Sequence, residues 1–125
     1  MIVKTILIVD DSRTSRQYHA AIVASGGYEV VTASDGAEGL EKLLMHPCDL
    51  ILTDINMEGV DGYEFIRRVR SSKGYERLPV VIISTEGEDE DMTMGYEAGA
   101  NLYVVKPSEP GALLYYVRIL LGEAA

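Results

Sequence analysis

Apolar runs in this chain end abruptly on polar side chains. Ile6-Leu7-Ile8-Val9 leads into Asp10-Asp11, and Leu50-Ile51-Leu52-Thr53 leads into Asp54. Val80-Val81-Ile82-Ile83 delivers Ser84, and Leu102-Tyr103-Val104-Val105 delivers Lys106-Pro107. These runs are rich in β-branched residues and lack polar alternation, the pattern of strands covered on both faces. Strands are predicted at 5–9, 28–32, 50–53, 80–83 and 102–105. Between them, apolar positions recur at helical spacing, predicting helices at 13–25, 36–45, through Phe65, Ile66 and Val69, at 88–98 and at 110–121. Gly26-Gly27 and Gly99 mark helix ends, and Asp35 followed by Glu38 has capping-box spacing.

Five β-α pairs joined by short connections, with no linker, repeat or low-complexity tract, predict an α/β fold. Its expected form is an open five-stranded parallel sheet with helices on both faces, built from right-handed crossovers. In such a sheet the carboxyl ends of the strands gather on one edge, where sites are placed. Asp10, Asp11, Asp54, Ser84 and Lys106 therefore converge on one pocket. No G-x-G-x-x-G and no GxxxxGK[ST] occurs, which removes the dinucleotide and P-loop readings. Two aspartates after the first strand would repel a flavin phosphate.

A chain of 125 residues suits one domain, residues 1–125, and 47% hydrophobic content suits a globular core. Twenty acids against eleven basic residues give a net charge of -9. With no segregated basic patch, that balance argues against direct nucleic-acid binding. Arg67, Arg68 and Arg70 read as a solvated helix face. No run approaches the roughly 20 apolar residues of a membrane span, and no signal peptide is recognisable, so the chain reads as cytoplasmic without membrane insertion. Cys48 is the single cysteine, which rules out an internal disulfide and a thiolate metal site.

Three carboxylates in one pocket raise one another's pKa unless a cation neutralises them. Mg²⁺ answers that need, being hard and bound by one or two carboxylates with waters and phosphoryl oxygens. Asp11 and Asp54 are the expected direct ligands, with the main-chain carbonyl of Asn56 as a third and Asp10 behind them or bound through water. Asp54 is the candidate nucleophile, since carboxylates form aspartyl-phosphates. Lys106 and the Ser84 hydroxyl would neutralise the remaining phosphoryl oxygens. A cis Lys106–Pro107 bond is one way to aim the lysine.

Beyond this chemistry, the chain resembles the receiver domain of bacterial two-component response regulators, and within it the single-domain chemotaxis regulators. The likeness runs from Ile6-Leu7-Ile8-Val9-Asp10-Asp11-Ser12 through Gly36 and Leu50-Ile51-Leu52-Thr53-Asp54 to the last helix. Asp61-Gly62, Leu78-Pro79, Ala98-Gly99-Ala100 and Lys106-Pro107 complete it. The resemblance implies a flavodoxin-like strand order 2-1-3-4-5. It implies that Asp54 accepts phosphate, Asp10 and Asp11 form the acidic metal pair, Ser84 is the switch hydroxyl, Lys106 binds phosphate and Tyr103 is the rotating aromatic. Asn56 and Glu86 fall where the family tunes attack of water on the phosphoryl group.

Departures from the family stand at Glu58, where proline is common, at Thr85, commonly alanine, and at Ser108, often aromatic. Strand alternation turns Thr85 away from the site, leaving Ser84 as the switch residue; Ser108 is expected to help start the last helix. The implied function is a signalling switch, not an enzyme beyond its own Mg²⁺-dependent phosphorylation and dephosphorylation. It would receive a phosphoryl group from a histidine kinase or histidine phosphotransfer protein and then alter contact with a downstream protein target. A phosphate-independent pseudo-receiver and a receiver fragment of a multidomain regulator are the alternatives. His19 and His46 lie outside the strand-end group, His19 reading as a surface or packing residue. Asn101-Leu102 and Tyr116 lack the charges of a paired acidic–basic dimer, whereas Tyr103, Tyr115 and Tyr116 are candidates for a partner surface.

Overall fold

The computed structural model describes residues 2–123; the outermost residues of the expected 1–125 domain, Met1, Ala124 and Ala125, lie outside them. Strands β1 (Thr5–Val9), β2 (Glu29–Ala33), β3 (Leu50–Thr53), β4 (Val80–Ser84) and β5 (Leu102–Val105) alternate with five helices. These are α1 (Arg13–Ser25), α2 (Gly36–Met45), α3 (Gly62–Arg70), α4 (Asp89–Ala98) and α5 (Pro110–Leu120). All strand pairs are parallel, in the order β2-β1-β3-β4-β5.

The two-residue period of the strands divides the core into two layers. Leu7, Val9, Ile51, Val80 and Ile82 face Leu43 of α2, Phe65, Ile66 and Val69 of α3 and Ala98 of α4. Ile6, Ile8, Leu50, Leu52, Val81 and Ile83 face Ile22 and Val23 of α1 and Leu113 and Val117 of α5. The three central strands are buried along nearly their whole length, as their unbroken apolar runs require. No helix among the described residues is long and apolar enough to cross a membrane.

Several local expectations are corrected. Strand β2 begins at Glu29, paired with Thr5, and runs through Ala33 instead of 28–32. Tyr28 precedes the ladder, its ring buried and its hydroxyl donating to Glu123 Oε1 at 2.5 Å. Strand β4 extends to Ser84, which pairs with Val105. Glu88 is the N-cap of α4, and Leu121 is the C-cap of α5. Ser108 does not start α5: Glu109 caps it, accepting from the N–H groups of Gly111 and Ala112, and Ser108 is instead buried.

Arg70 is also not part of a solvated face. Its guanidinium donates to Gly99 O (3.0 and 2.8 Å), Leu78 O (2.6 Å), Tyr75 O (3.3 Å) and Asn101 Oδ1 (2.9 Å). The planar fork of arginine can hold several acceptors at once, so it ties the end of α3 to the turns before β4 and β5. Arg67 and Arg68 do remain exposed, both paired with Glu64.

Gly62, the first residue of α3, is where the fold presses hardest on the site. A Cβ there would lie 2.2 Å from the Asp54 carbonyl oxygen and 2.6 Å from Ile55 Cα. Both contacts are backbone, so neither yields by a side-chain rotation. Gly62→Ala is expected to lower the unfolding free energy by about 1–3 kcal/mol, read as a lower urea midpoint with an unchanged slope.

Candidate functional site

Parallel pairing carries the polar strand ends to one edge of the sheet. Asp10 follows β1, its N–H donating to Ala33 O at 3.1 Å, and Asp54 follows β3, its N–H donating to Val9 O at 2.9 Å. Lys106 follows β5, its N–H donating to Ser84 O at 2.7 Å. The backbone thus continues the ladder one step past each strand and fixes where each side chain starts.

Carboxylate oxygens of Asp10, Asp11 and Asp54 lie within 4.8 Å of one another. The Lys106 ammonium stands between two of them, 3.1 Å from Asp10 Oδ2 and 3.1 Å from Asp54 Oδ2. Asp10 is nearly fully buried and also accepts from Ser12 N–H (2.9 Å) and the Ser15 hydroxyl (2.6 Å). Asp54 uses its other oxygen to accept from Ile55 N–H at 2.7 Å, while Asp11 is exposed. The peptide bond between Lys106 and Pro107 is cis.

Ser84 is fully buried, and its hydroxyl accepts from Glu86 N–H at 3.1 Å. Thr85, the next residue, lies just past the end of β4 and is exposed. Tyr103 points inward: its ring is buried and its hydroxyl donates to Glu86 O at 2.6 Å. Gly95 of α4 makes room for that ring, since a Cβ there would come within 3.0 Å of Tyr103 Cδ2. Asn56 and Glu86 are exposed and meet across the mouth of the site, Nδ2 donating to Oε1 at 3.1 Å. Glu58 is exposed on the loop after Asn56.

The electrostatics oppose one another. Burial raises the Asp54 pKa above the ordinary aspartate value; the Ile55 N–H and Lys106 pull it back, and Asp10 adds to the rise. Burial alone would lower the Lys106 ammonium, but Asp54 and Asp10 together outweigh it and hold it above ordinary lysine. Three carboxylates and one ammonium leave a deficit of positive charge at the sheet edge. A hard-oxygen donor set with that deficit fits a divalent cation such as Mg²⁺.

Sequence reasoning missed a second layer of residues behind Asp10. Of the surface and packing readings of His19 the structure takes packing: it is 3% exposed, with Nδ1 2.8 Å from Ser15 O and Nε2 3.0 Å from the Ser108 hydroxyl. The available signal was Ser15 and His19 at i and i+4, on one face of a helix beginning beside Asp10-Asp11. The contact with Ser108 spans 89 residues and has no local signature. His46 caps the far end of α2 and is exposed.

A family model described as the response regulator receiver domain matches residues 6–118, and the chain belongs to that family. It is 34% identical to chemotaxis protein CheY1 of Helicobacter pylori over 119 residues, covering 94% of this chain and 96% of that one. A gliding motility regulatory protein of Myxococcus xanthus is 41% identical over 81% of this chain, which spans only 13% of that longer protein. Among solved structures, Vibrio cholerae CheY4 matches at a TM-score of 0.90 with 35% identity, over 95% of this chain and 99% of that one. The receiver domain of sensor histidine kinase PA1611 from Pseudomonas aeruginosa, solved with magnesium in its active site cleft, matches at 0.90 with 25% identity, over 98% and 100%. The flavodoxin-like receiver fold and the phosphorylation-dependent switch function of this family apply to the chain.

The raised Asp54 pKa has a definite sign for stability. The folded state binds the Asp54 proton more tightly than the unfolded state, so ionising this group costs stability as pH rises past the ordinary aspartate range. In metal-free buffer, Asp54→Asn is expected to melt at a higher temperature than wild type at pH 7. That advantage should shrink as pH falls toward about 4, measured by calorimetry across the range.

Proposed function

We propose that residues 1–125 form one receiver domain in which Asp54 accepts the phosphoryl group. The observation that carries this reading is the Lys106 ammonium held between the Asp10 and Asp54 carboxylates, opposite the buried Ser84 hydroxyl on the adjoining strand. The expected donor is a phosphohistidine on a sensor kinase or a histidine phosphotransfer protein. An Asp54 carboxylate oxygen attacks phosphorus as the P–N bond breaks, and the electron pair leaves with the donor's imidazole nitrogen. The transition state is loose, so positioning and charge neutralisation carry most of the catalysis.

Asp11 and Asp54, with the main-chain carbonyl of Asn56, would hold Mg²⁺, with Asp10 engaged behind them by Ser12, Ser15 and Lys106. Bound there, the ion would neutralise charge on the phosphoryl oxygens. The Pseudomonas receiver solved with magnesium in its cleft supports this choice. Lys106 moves from its two carboxylates toward a phosphoryl oxygen, and the Ser84 hydroxyl releases Glu86 N–H to donate to another. That movement draws on the loop carrying Glu86, whose carbonyl holds Tyr103 inward, and so passes the change to α4 and β5. Pro107 turns the chain directly behind Lys106.

Asn56 and Glu86 stand at the entrance and would govern the approach of water that hydrolyses the aspartyl-phosphate. Glu58, on the same loop as Asn56, adds negative charge beside them. The chemistry stays confined to the domain's own phosphoryl group, which makes it a switch and not a conventional enzyme. A cytoplasmic location, a downstream protein target and a chemotaxis role like that of the Helicobacter relative complete the reading.

Intact-protein mass after incubation with Mg²⁺ and acetyl phosphate tests it. One phosphoryl adduct is expected that requires Mg²⁺ and is absent from Asp54→Asn. A wild-type protein that neither gains the adduct nor binds beryllium fluoride with Mg²⁺ would sink the reading in favour of a pseudo-receiver.

A further inference from the structure

Helix α1 grips both ends of an ion pair that the sheet itself cannot hold together. Strands β1 and β5 carry Asp10 and Lys106, yet β3 and β4 separate them in the sheet. On the Asp10 side, the Ser15 hydroxyl donates to Oδ2 at 2.6 Å and Arg16 Nη1 donates to the Asp10 carbonyl at 2.8 Å. One turn further on, the Tyr18 hydroxyl donates to the Ser108 carbonyl at 3.0 Å, and His19 Nε2 lies 3.0 Å from the Ser108 hydroxyl. Ser108 is two residues after Lys106.

The direction of these bonds follows from what each atom can do. The Ser15 carbonyl can only accept, so the neighbouring His19 Nδ1 carries the proton. A neutral ring then leaves Nε2 as an acceptor, and the Ser108 hydroxyl donates to it. His19 and Ser108 are 3% and 5% exposed, so the bond between them is buried. Beside them, between α1 and the loop after β5, lies a cleft of about 440 Å³. On this flank of the loop the Tyr18 hydroxyl donates to the Ser108 carbonyl and the Ser108 hydroxyl donates to His19, and these two bonds tie it to α1.

We propose that His19 and Ser108 are positioning residues that hold Lys106 against the acidic site through α1. The proposal deepens the phosphoacceptor reading of Asp54 and rests on it. Neither residue touches the phosphoryl group. Their bond sets the height of the loop after β5 relative to Asp10, and so the placement of the ammonium that must meet a phosphoryl oxygen.

The test is binding of beryllium fluoride, a phosphoryl mimic, to the full chain in the presence of Mg²⁺. Variants are His19→Leu, Ser108→Ala, the pair together, and Ser108→Ala combined with Lys106→Met. Displacement of a charged group by a fraction of a bond length to 1 Å predicts about tenfold weaker binding for each single variant. The double His19→Leu/Ser108→Ala variant should be no weaker than either alone, because both break one bond. In the Lys106→Met background, Ser108→Ala should change nothing further, since its effect runs through the lysine.

Wild-type affinity in Ser108→Ala overturns the proposal, and so does an undiminished tenfold loss in the Lys106→Met background, which would mark a general structural role. Ser108→Ala removes one oxygen and carries the test by itself if His19→Leu does not fold. Failure of wild type to bind the mimic would instead strike the phosphoacceptor reading.

Discussion

The Lys106 ammonium between the Asp10 and Asp54 carboxylates is the contact around which this structure is arranged. It joins the ends of three strands, β1, β3 and β5, that the sheet order keeps at different distances. A half-buried lysine flanked by buried acids is costly to desolvate, and two buried acids against one lysine leave a net negative charge. The fold accepts that cost where a third carboxylate, Asp11, further raises the negative charge. Such a cluster is poor at stabilising an apo protein and well suited to receiving a cation and a phosphoryl group together. Burial and the neighbouring charges shift the ionisation of Asp54 and Lys106 there in the raised direction.

Around that contact, tight backbone approaches and side-chain ties divide the labour. Gly62 brings the start of α3 against the Asp54 carbonyl, and Gly95 brings α4 against the Tyr103 ring. Arg70 anchors the C-terminal end of α4 through Gly99 O. The opposite end of α4 is linked to the site through the loop carrying Glu86, held by Ser84 and Tyr103. One end of α4 is thus fastened and the other is linked to the buried Ser84 hydroxyl and the Tyr103 ring at the same sheet edge as the acidic cluster. That arrangement gives a local charge change a mechanical route to a surface, which is what a two-state signalling domain needs.

The inward Tyr103 bears on how the switch is read. Its hydroxyl is satisfied by the Glu86 carbonyl and its ring fills the space left by Gly95. Tyr96 of α4 adds a second tie, its hydroxyl accepting from Tyr103 N–H at 3.2 Å. Of the three tyrosines that suggested a partner surface, Tyr115 is exposed and Tyr116 half-buried, while Tyr103 belongs to the interior. The aromatic ring therefore lies behind the surface, packed between β5 and α4.

Much of this was legible in the residues alone, because hydrophobic periodicity is local and parallel topology is restrictive. Unbroken apolar runs ending in Asp10, Asp54, Ser84 and Lys106 sufficed to predict four of the five strands, their coverage by helices and the gathering of those side chains at one edge. Ser84 was distinguished from Thr85 by alternation, which follows from the two-residue repeat of any strand. The start of β2 was displaced by one residue because Tyr28 has strand character but the ladder begins only where Glu29 pairs with Thr5. Ser108 looked like a helix cap because local propensity favours serine there; tertiary burial against His19 made it something else. Arg70 shows the same limit: a charged residue on a helix reads as solvated until distant carbonyls are brought to it, and for His19 the sequence left surface and packing both open. Sequence alone determined the elements, their class of sheet and the chemistry collected at its edge, since these depend on neighbours along the chain. Only the tertiary structure decided which polar groups are buried in partnership, because those hydrogen bonds join residues that folding, not sequence proximity, places within 3 Å.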